Sequence, residues 1–399
     1  MEIKKLLSFS LLKYLELAVS AISSLILAHK VGPQGMAAIS PLLLYITYSG
    51  FFSLGGPSVY LKEKSKGEFS NRGKVLLNVL LAAIFTTLCY FIIFGWSYIF
   101  VPFISMAVFV RSYLIANFRI KDKIFVINIA CISSALSTLL LVILLVNNVD
   151  EYIMSVFLGH VIAIIIYLNF DKSVLQRFIV TIKDKIDIND WHSFLKLGLK
   201  LNIVAFLTLF LMSTDRLIVL NLGLNSDAIG TFQLSDMIAG LFYLLITNVM
   251  FFFYPSWIRR IQRDSVFRNK YLKISCVLPF LLISLFPIAY FASCFIFPYL
   301  FPEFVDLSFY LMISMLMKTC VIGFSIQNVV YISNNSEGEL IKRYVSMLVF
   351  YLLGVAINYF LYLKLDFLFE WFLIINAVFL LIIVSVYNYV CYKRINFKF

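Results

Sequence analysis

Runs of about 20 apolar residues recur along this chain from Leu6 to Cys391, each closed by a charge cluster, a Pro/Gly turn or a run of asparagines. A helix rises about 1.5 Å per residue, so about 20 residues cross the ~30 Å hydrocarbon core of a bilayer. Cut at the charged and turn-forming gaps, the chain yields twelve such segments: 6–28, 37–61, 75–95, 98–118, 124–146, 152–170, 197–221, 230–258, 272–294, 306–332, 344–363 and 371–391. The remainder has no room for a water-soluble domain. Composition agrees, with 62% of residues hydrophobic and 14% charged, against about 45–50% and about 25% in soluble domains. The fold class expected is an all-α integral membrane protein, because a helix satisfies its own backbone hydrogen bonds in lipid.

A net charge of +12 raises the question of nucleic acid, and the placement of the basic residues answers it. With the N-terminus in the cytoplasm, 26 Lys and Arg fall in inner segments and two, Lys30 and Lys364, in outer ones. Such a bias reports orientation, puts both termini in the cytoplasm and excludes a nucleic-acid partner. The bilayer itself is the expected partner, with contact to anionic lipid. The first apolar run follows Lys4 and Lys5 as a signal peptide does, yet Lys13 and Glu16 interrupt it and no small-residue cleavage site follows. It is expected to remain as the first span.

The longest inner segment, 171–196, is charged, contains Trp191 and separates six spans from six. The expected organisation is an N-terminal six-helix bundle at 1–170, a cytoplasmic linker at 171–196 and a C-terminal six-helix bundle at 197–399. An internal echo supports it. Val31-Gly32, four residues and Ala37 at the exit of span 1 match Leu222-Gly223, four residues and Ala228 at the exit of span 7. Both sites fall on the outer face, so the halves read as parallel repeats, an arrangement that commonly places a substrate site between them near the midplane.

Charges inside apolar spans are the candidate functional residues, since each costs about 2.5–3.5 kcal/mol at a helix centre even on an insertion scale. Arg111 lies near the middle of span 4 and Lys318 near the middle of span 10, equivalent helices in a six-plus-six repeat. Neither reaches a surface easily, and the two are expected to face one another across a cavity as an anion site; the alternative is a structural charge held by a carbonyl or carboxylate. Lys13 and Glu16, spaced i,i+3, share a helix face and can pair. Lys13 and Lys200 lie near enough to the cytoplasmic side to snorkel. Glu16, Asp215 and Asp236 are each either salt-bridge partners or proton carriers. Arg216 follows Asp215 but points about 100° away on a helix, so one of them meets another partner.

The six cysteines lie in or at the ends of apolar stretches, with no C-x-x-C pair, and read as packing residues. His29 and His192 fall at or beyond membrane edges, and His160 in span 6 reads as a hydrogen-bonded packing residue. No metal site, Ser-His-Asp set or glycine-rich phosphate loop occurs, so neither a cofactor nor an enzyme activity is expected.

Three stretches carry a family resemblance: Gly198-Leu199-Lys200-Leu201, Met212-Ser213-Thr214-Asp215-Arg216-Leu217, and Leu222-Gly223 followed by Gly230-Thr231-Phe232. Together they resemble the seventh span of the Wzx-type O-antigen and polysaccharide repeat-unit flippases. The run from Leu6 to Ile39, with Val31-Gly32-Pro33, is similar to that family's first span and exit. Lys200 stands where the family usually has Pro, and Gly35-Met36 where it has an acidic-aromatic pair.

The resemblance implies the fold of the multidrug/oligosaccharidyl-lipid/polysaccharide exporters, two six-helix lobes around a central cavity. It implies a substrate too, an undecaprenyl-pyrophosphate-linked oligosaccharide moved by alternating access from the inner to the outer leaflet of a bacterial plasma membrane. A polysaccharide polymerase and a chain-length regulator are its implied partners. Arg111, Lys318 and Arg216 suit that task, since a pyrophosphate crossing hydrocarbon needs a cationic path. Two other functions compete. A drug/cation antiporter of the same fold should expose carboxylates, and a polysaccharide polymerase should carry a large basic outer loop that this chain lacks.

Overall fold

The structure, a computed structural model, describes residues 2–66, 73–172, 188–222, 224–333, 337–365 and 368–397. Long apolar runs become helices throughout: α1 (Glu2–Ser49), α2 (Gly56–Lys66), α3 (Gly73–Phe94), α4 (Phe100–Ile120), α5 (Ile124–Leu144), α6 (Val149–Phe170), α7 (Ile188–Asn221), α8 (Ser226–Arg263), α9 (Ser265–Ile283), α10 (Phe286–Leu300), α11 (Leu307–Ser333), α12 (Glu337–Leu365) and α13 (Phe369–Phe397). Eleven helical stretches among the described residues are long and apolar enough to cross a bilayer. The first of them, Leu11–Ser53, has 43 residues, about twice what one crossing needs. Gly32, at φ 64 and ψ −175, breaks it. Glycine accepts that conformation and Pro33 withholds a ladder donor, so the two expected spans on either side separate there. The protein is a multi-pass, all-α membrane protein.

Two spans depart from their expected outlines. Span 2, expected as one helix over 37–61, stops at Ser49 and passes through a 3-10 turn, Gly50–Ser53, before α2 starts at Gly56. Leu54 and Gly55 sit there at φ 48 and φ 70, a left-handed turn fed by Gly50, Gly55, Gly56 and Pro57. Span 9, expected over 272–294, is broken between α9 and α10, with Pro287 at the start of α10 and Pro279 inside α9. Of the expected linker, residues 173–187 lie outside the described residues, and from Ile188 its last part is the beginning of α7.

The chain divides into two compact units, Met1–Phe206 and Leu207–Phe399. In the first, α5 packs on α1 and α6, and α4 packs on α3 and α6; Leu114, Phe118, Ala130, Cys131, Ala163 and Tyr167 form a buried cluster between α4, α5 and α6. In the second, α11 packs on α8, α9 and α13. Side chains close helix starts: Asn148 accepts from the Glu151 amide, Asn225 from the Ala228 amide, and Asp264 from the Val266 and Phe267 amides, satisfying donors a helix start leaves open.

Burial singles out one helix in each unit. The membrane stretch of α4 is 56% buried and that of α11 72%, against 11% for Ser265–Leu300. The two enclosed helices are those carrying Arg111 and Lys318.

Orientation is directly testable. Reporter fusions at Ile188, Asn269 and Asn71, the last outside the described residues, are expected to report cytoplasm. An external signal from any of the three overturns the orientation set by the basic residues.

Candidate functional site

The first unit gathers its intramembrane polar groups around α4. Arg111 is the twelfth residue of that 21-residue helix, about 14–16 Å from either end. Its Nη1 donates to His160 Nδ1 on α6 at 3.1 Å, and its Nη2 donates to Cys131 Sγ on α5 at 3.0 Å. Neither acceptor is a carboxylate. On α1, Lys13 Nζ contacts Glu16 Oε2 at 2.5 Å, and Glu16 is within electrostatic reach of Arg111 without forming an ion pair. No described carboxylate makes a salt bridge with Arg111. Its charge has only the distant Glu16 to balance it among the described residues, and the guanidinium keeps further N–H donors for a planar anion.

The second unit assembles a different site from α7, α8 and α11. Lys318 Nζ on α11 meets Asp236 Oδ1 on α8 at 2.5 Å and donates to the Met212 carbonyl on α7 at 3.0 Å. Arg216 Nη1 lies 3.5 Å from the other oxygen of Asp236. Asp215 Oδ1 accepts from the Arg216 amide at 2.9 Å. All four side chains are enclosed, with exposures of 3% for Asp215, 9% for Arg216, 7% for Asp236 and 4% for Lys318. Two carboxylates meet two cations, so the cluster sums to zero formal charge. Its open valences are polar: Asp215 Oδ2, both amide atoms of Gln233 and the Tyr351 hydroxyl are buried without a hydrogen-bond partner among the described residues. Buried groups of that kind recruit water or a proton.

The structure thus sorts the sequence candidates into two sets. Arg111 stands with Lys13 and Glu16 in one unit; Lys318, Arg216, Asp215 and Asp236 stand together in the other. Lys200 is exposed. Sequence reasoning did not pick His160 and Cys131 as the partners of Arg111, nor Gln233 and Tyr351 beside the ion cluster. One signal was present for His160, its midspan position at the depth of Arg111. Among the described residues no group of His, Cys, Asp and Glu is arranged to hold a metal ion.

Comparison with known proteins defines the fold class. A variant of the Vibrio cholerae MATE transporter VcmN superposes over 99% of this chain and 97% of its own, with a TM-score of 0.62 and 13% identity. The eukaryotic MATE transporter AtDTX14 superposes over 98% of this chain and 99% of its own (TM-score 0.57, 13% identity). The MATE transporter ClbM in complex with Rb+ covers 97% of this chain and 92% of its own (TM-score 0.54, 15% identity). No family model and no curated protein matches. The chain has the fold of MATE transporters.

Proposed function

We propose that this protein is a transporter that moves an anionic, lipid-linked oligosaccharide from the inner to the outer leaflet of a bacterial plasma membrane by alternating access. The observation that carries the proposal is Arg111, a midspan cation whose hydrogen-bond acceptors are an imidazole and a cysteine sulfur, with no salt bridge to a described carboxylate. A half-buried midspan charge without a salt-bridge partner is costly, and an anionic substrate headgroup supplies that partner. The flippase resemblance of the Ser213–Arg216 and Val31–Pro33 stretches supports the undecaprenyl-pyrophosphate class of substrate. Lys318 and Arg216 are held by Asp236, so Arg111 is the anion contact.

Surface polysaccharide at matched protein abundance tests this. Arg111→Gln keeps hydrogen bonding and loses the charge, and transport is expected to fall about ten- to hundredfold, the worth of a charge-assisted contact. Arg111→Lys keeps the charge without the fork and should fall less. Normal polysaccharide in the Gln variant ends the reading.

One observation favours a second reading, a MATE-like drug/cation antiporter: two enclosed carboxylates, Asp215 and Asp236, lie in the second unit, and Asp215 has an unpartnered oxygen. Under that reading Asp215→Asn, rather than Arg111→Gln, carries the larger loss, and the loss appears in drug export rather than in polysaccharide.

A further inference from the structure

Arginine has only donors. The 3.1 Å contact between Arg111 Nη1 and His160 Nδ1 therefore requires a bare Nδ1 lone pair, with the imidazole proton on Nε2. His160 is neutral as drawn by its own hydrogen bond. Among the described residues, the charged and titratable groups around the Arg111–His160 pair are Cys131 from α5, Tyr167 from α6 and the Lys13–Glu16 pair from α1. The pair from α1 is already internally compensated.

An anion that takes the Nη1 N–H now given to His160 displaces that ring as its acceptor. Displaced as the same neutral tautomer, His160 would turn a lone pair toward an oxyanion, which repels it, and the other neutral tautomer would offer an Nδ1–H without a charge. With a proton on Nδ1, the same ring becomes a second cationic donor beside the guanidinium.

We infer that a phosphoryl anion binds between Arg111 and His160 with uptake of one proton, so that proton and anion bind this site cooperatively. The inference rests on the reading of Arg111 as the substrate's anion contact. The balance is simple: the Arg111···Nδ1 hydrogen bond is lost, a proton from bulk water forms an N–H bond at Nδ1, and that N–H and the guanidinium donate to phosphoryl oxygens. Linkage makes the effect reciprocal, so a bound anion raises proton affinity as much as a bound proton raises anion affinity. His160 is a binding residue in this scheme, and Cys131 a positioning residue that keeps Nη2 aligned.

The experiment uses the full-length protein in lipid nanodiscs and a short-chain prenyl diphospho-monosaccharide as probe. That diphosphate diester has no proton to gain between pH 6 and 8, so any titration belongs to the protein. Calorimetry in two buffers of different ionisation enthalpy counts the protons taken up. The wild-type protein is expected to bind more tightly as pH falls, by up to about tenfold per pH unit, the limit for one proton. In His160→Asn and His160→Gln the rise and the uptake should both disappear. A probe with methyl in place of the prenyl chain separates a lipid headgroup from a soluble phosphate ester: equal binding of both assigns the site to the phosphoryl group alone.

PH-independent wild-type binding without proton uptake overturns the inference while leaving Arg111 as an anion contact. So does a pH rise that survives in both His160 variants. No binding of either probe by the wild-type protein removes the Arg111 reading and this inference with it. Because the wild-type proton count needs no substitution, a poorly folding variant does not shelter the idea.

Discussion

Lys318→Met is expected to destabilise the protein by about 3–5 kcal/mol, because removing one member of a buried ion pair strands the other. Lys318 and Asp236 are 4% and 7% exposed and 2.5 Å apart. After the substitution Asp236 keeps, among the described residues, the Arg216 ion pair at 3.5 Å, and the Met212 carbonyl loses its lysine donor. Asp236→Asn should cost a similar amount by leaving two cations against Asp215 alone. Replacing both, as Lys318→Met with Asp236→Leu, should recover much of the loss, since apolar residues of similar volume often substitute for a whole buried pair at little cost. Thermal unfolding in one detergent is the measurement. A single Met substitution that costs under about 1 kcal/mol, the range of an exposed pair, would show that water reaches this cluster and that Lys318 is free to serve a substrate.

A second large effect is expected at Gly198, where α7 meets the turn that interrupts span 2. A Cβ on Gly198 would sit 2.1 Å from the Leu54 carbonyl oxygen, and one on Gly55 would sit 2.3 Å from the Gly198 carbonyl oxygen. Both obstacles are backbone, which cannot rotate aside. Gly55 also lies at φ +70, where any other residue is strained. Around this contact Asn202 Nδ2 donates to the Phe51 carbonyl at 3.0 Å, and Phe206 packs edge-on to Phe51. Lys74, 2% exposed, bridges Glu63 and Asp190. Gly198→Val is therefore expected to cost about 3 kcal/mol or more, at the upper end for overpacking, and to lower the melting temperature and the amount of protein in the membrane. Gly240→Ala is the control, since nothing lies within 4 Å of its Cβ position. It should gain about 0.5–1 kcal/mol from helix propensity. Equal melting temperatures for the two variants would mean that α7 does not rest on the 54–55 turn.

Helices were legible in this sequence because lipid leaves an apolar run one way to satisfy its backbone. The pair Lys13–Glu16 was legible for a similar reason, as i,i+3 spacing fixes neighbours within one helix. Contacts between helices were not. Nothing in the spacing of Arg216, Asp236 and Lys318 says that two cations share one carboxylate; the packing of α7, α8 and α11 decides that. The same holds for Arg111, whose partners come from α5 and α6. The break in span 2 was written in Gly55-Gly56-Pro57, but an apolar run on either side outweighed it. Its purpose became visible only with Gly198, which is 143 residues further along and whose missing side chain the turn requires.

The ion cluster of the second unit has a consequence for biosynthesis. A chain threaded into the membrane from its N-terminus delivers Asp215 and Arg216 together on α7, a self-neutral pair. Asp236 enters next on α8 and can lean on Arg216. Lys318 arrives last, after α9 and α10, and finds in Asp236 and the Met212 carbonyl an acceptor pair already in place. The lysine-bearing α11 is thus the helix whose reception the earlier helices have prepared.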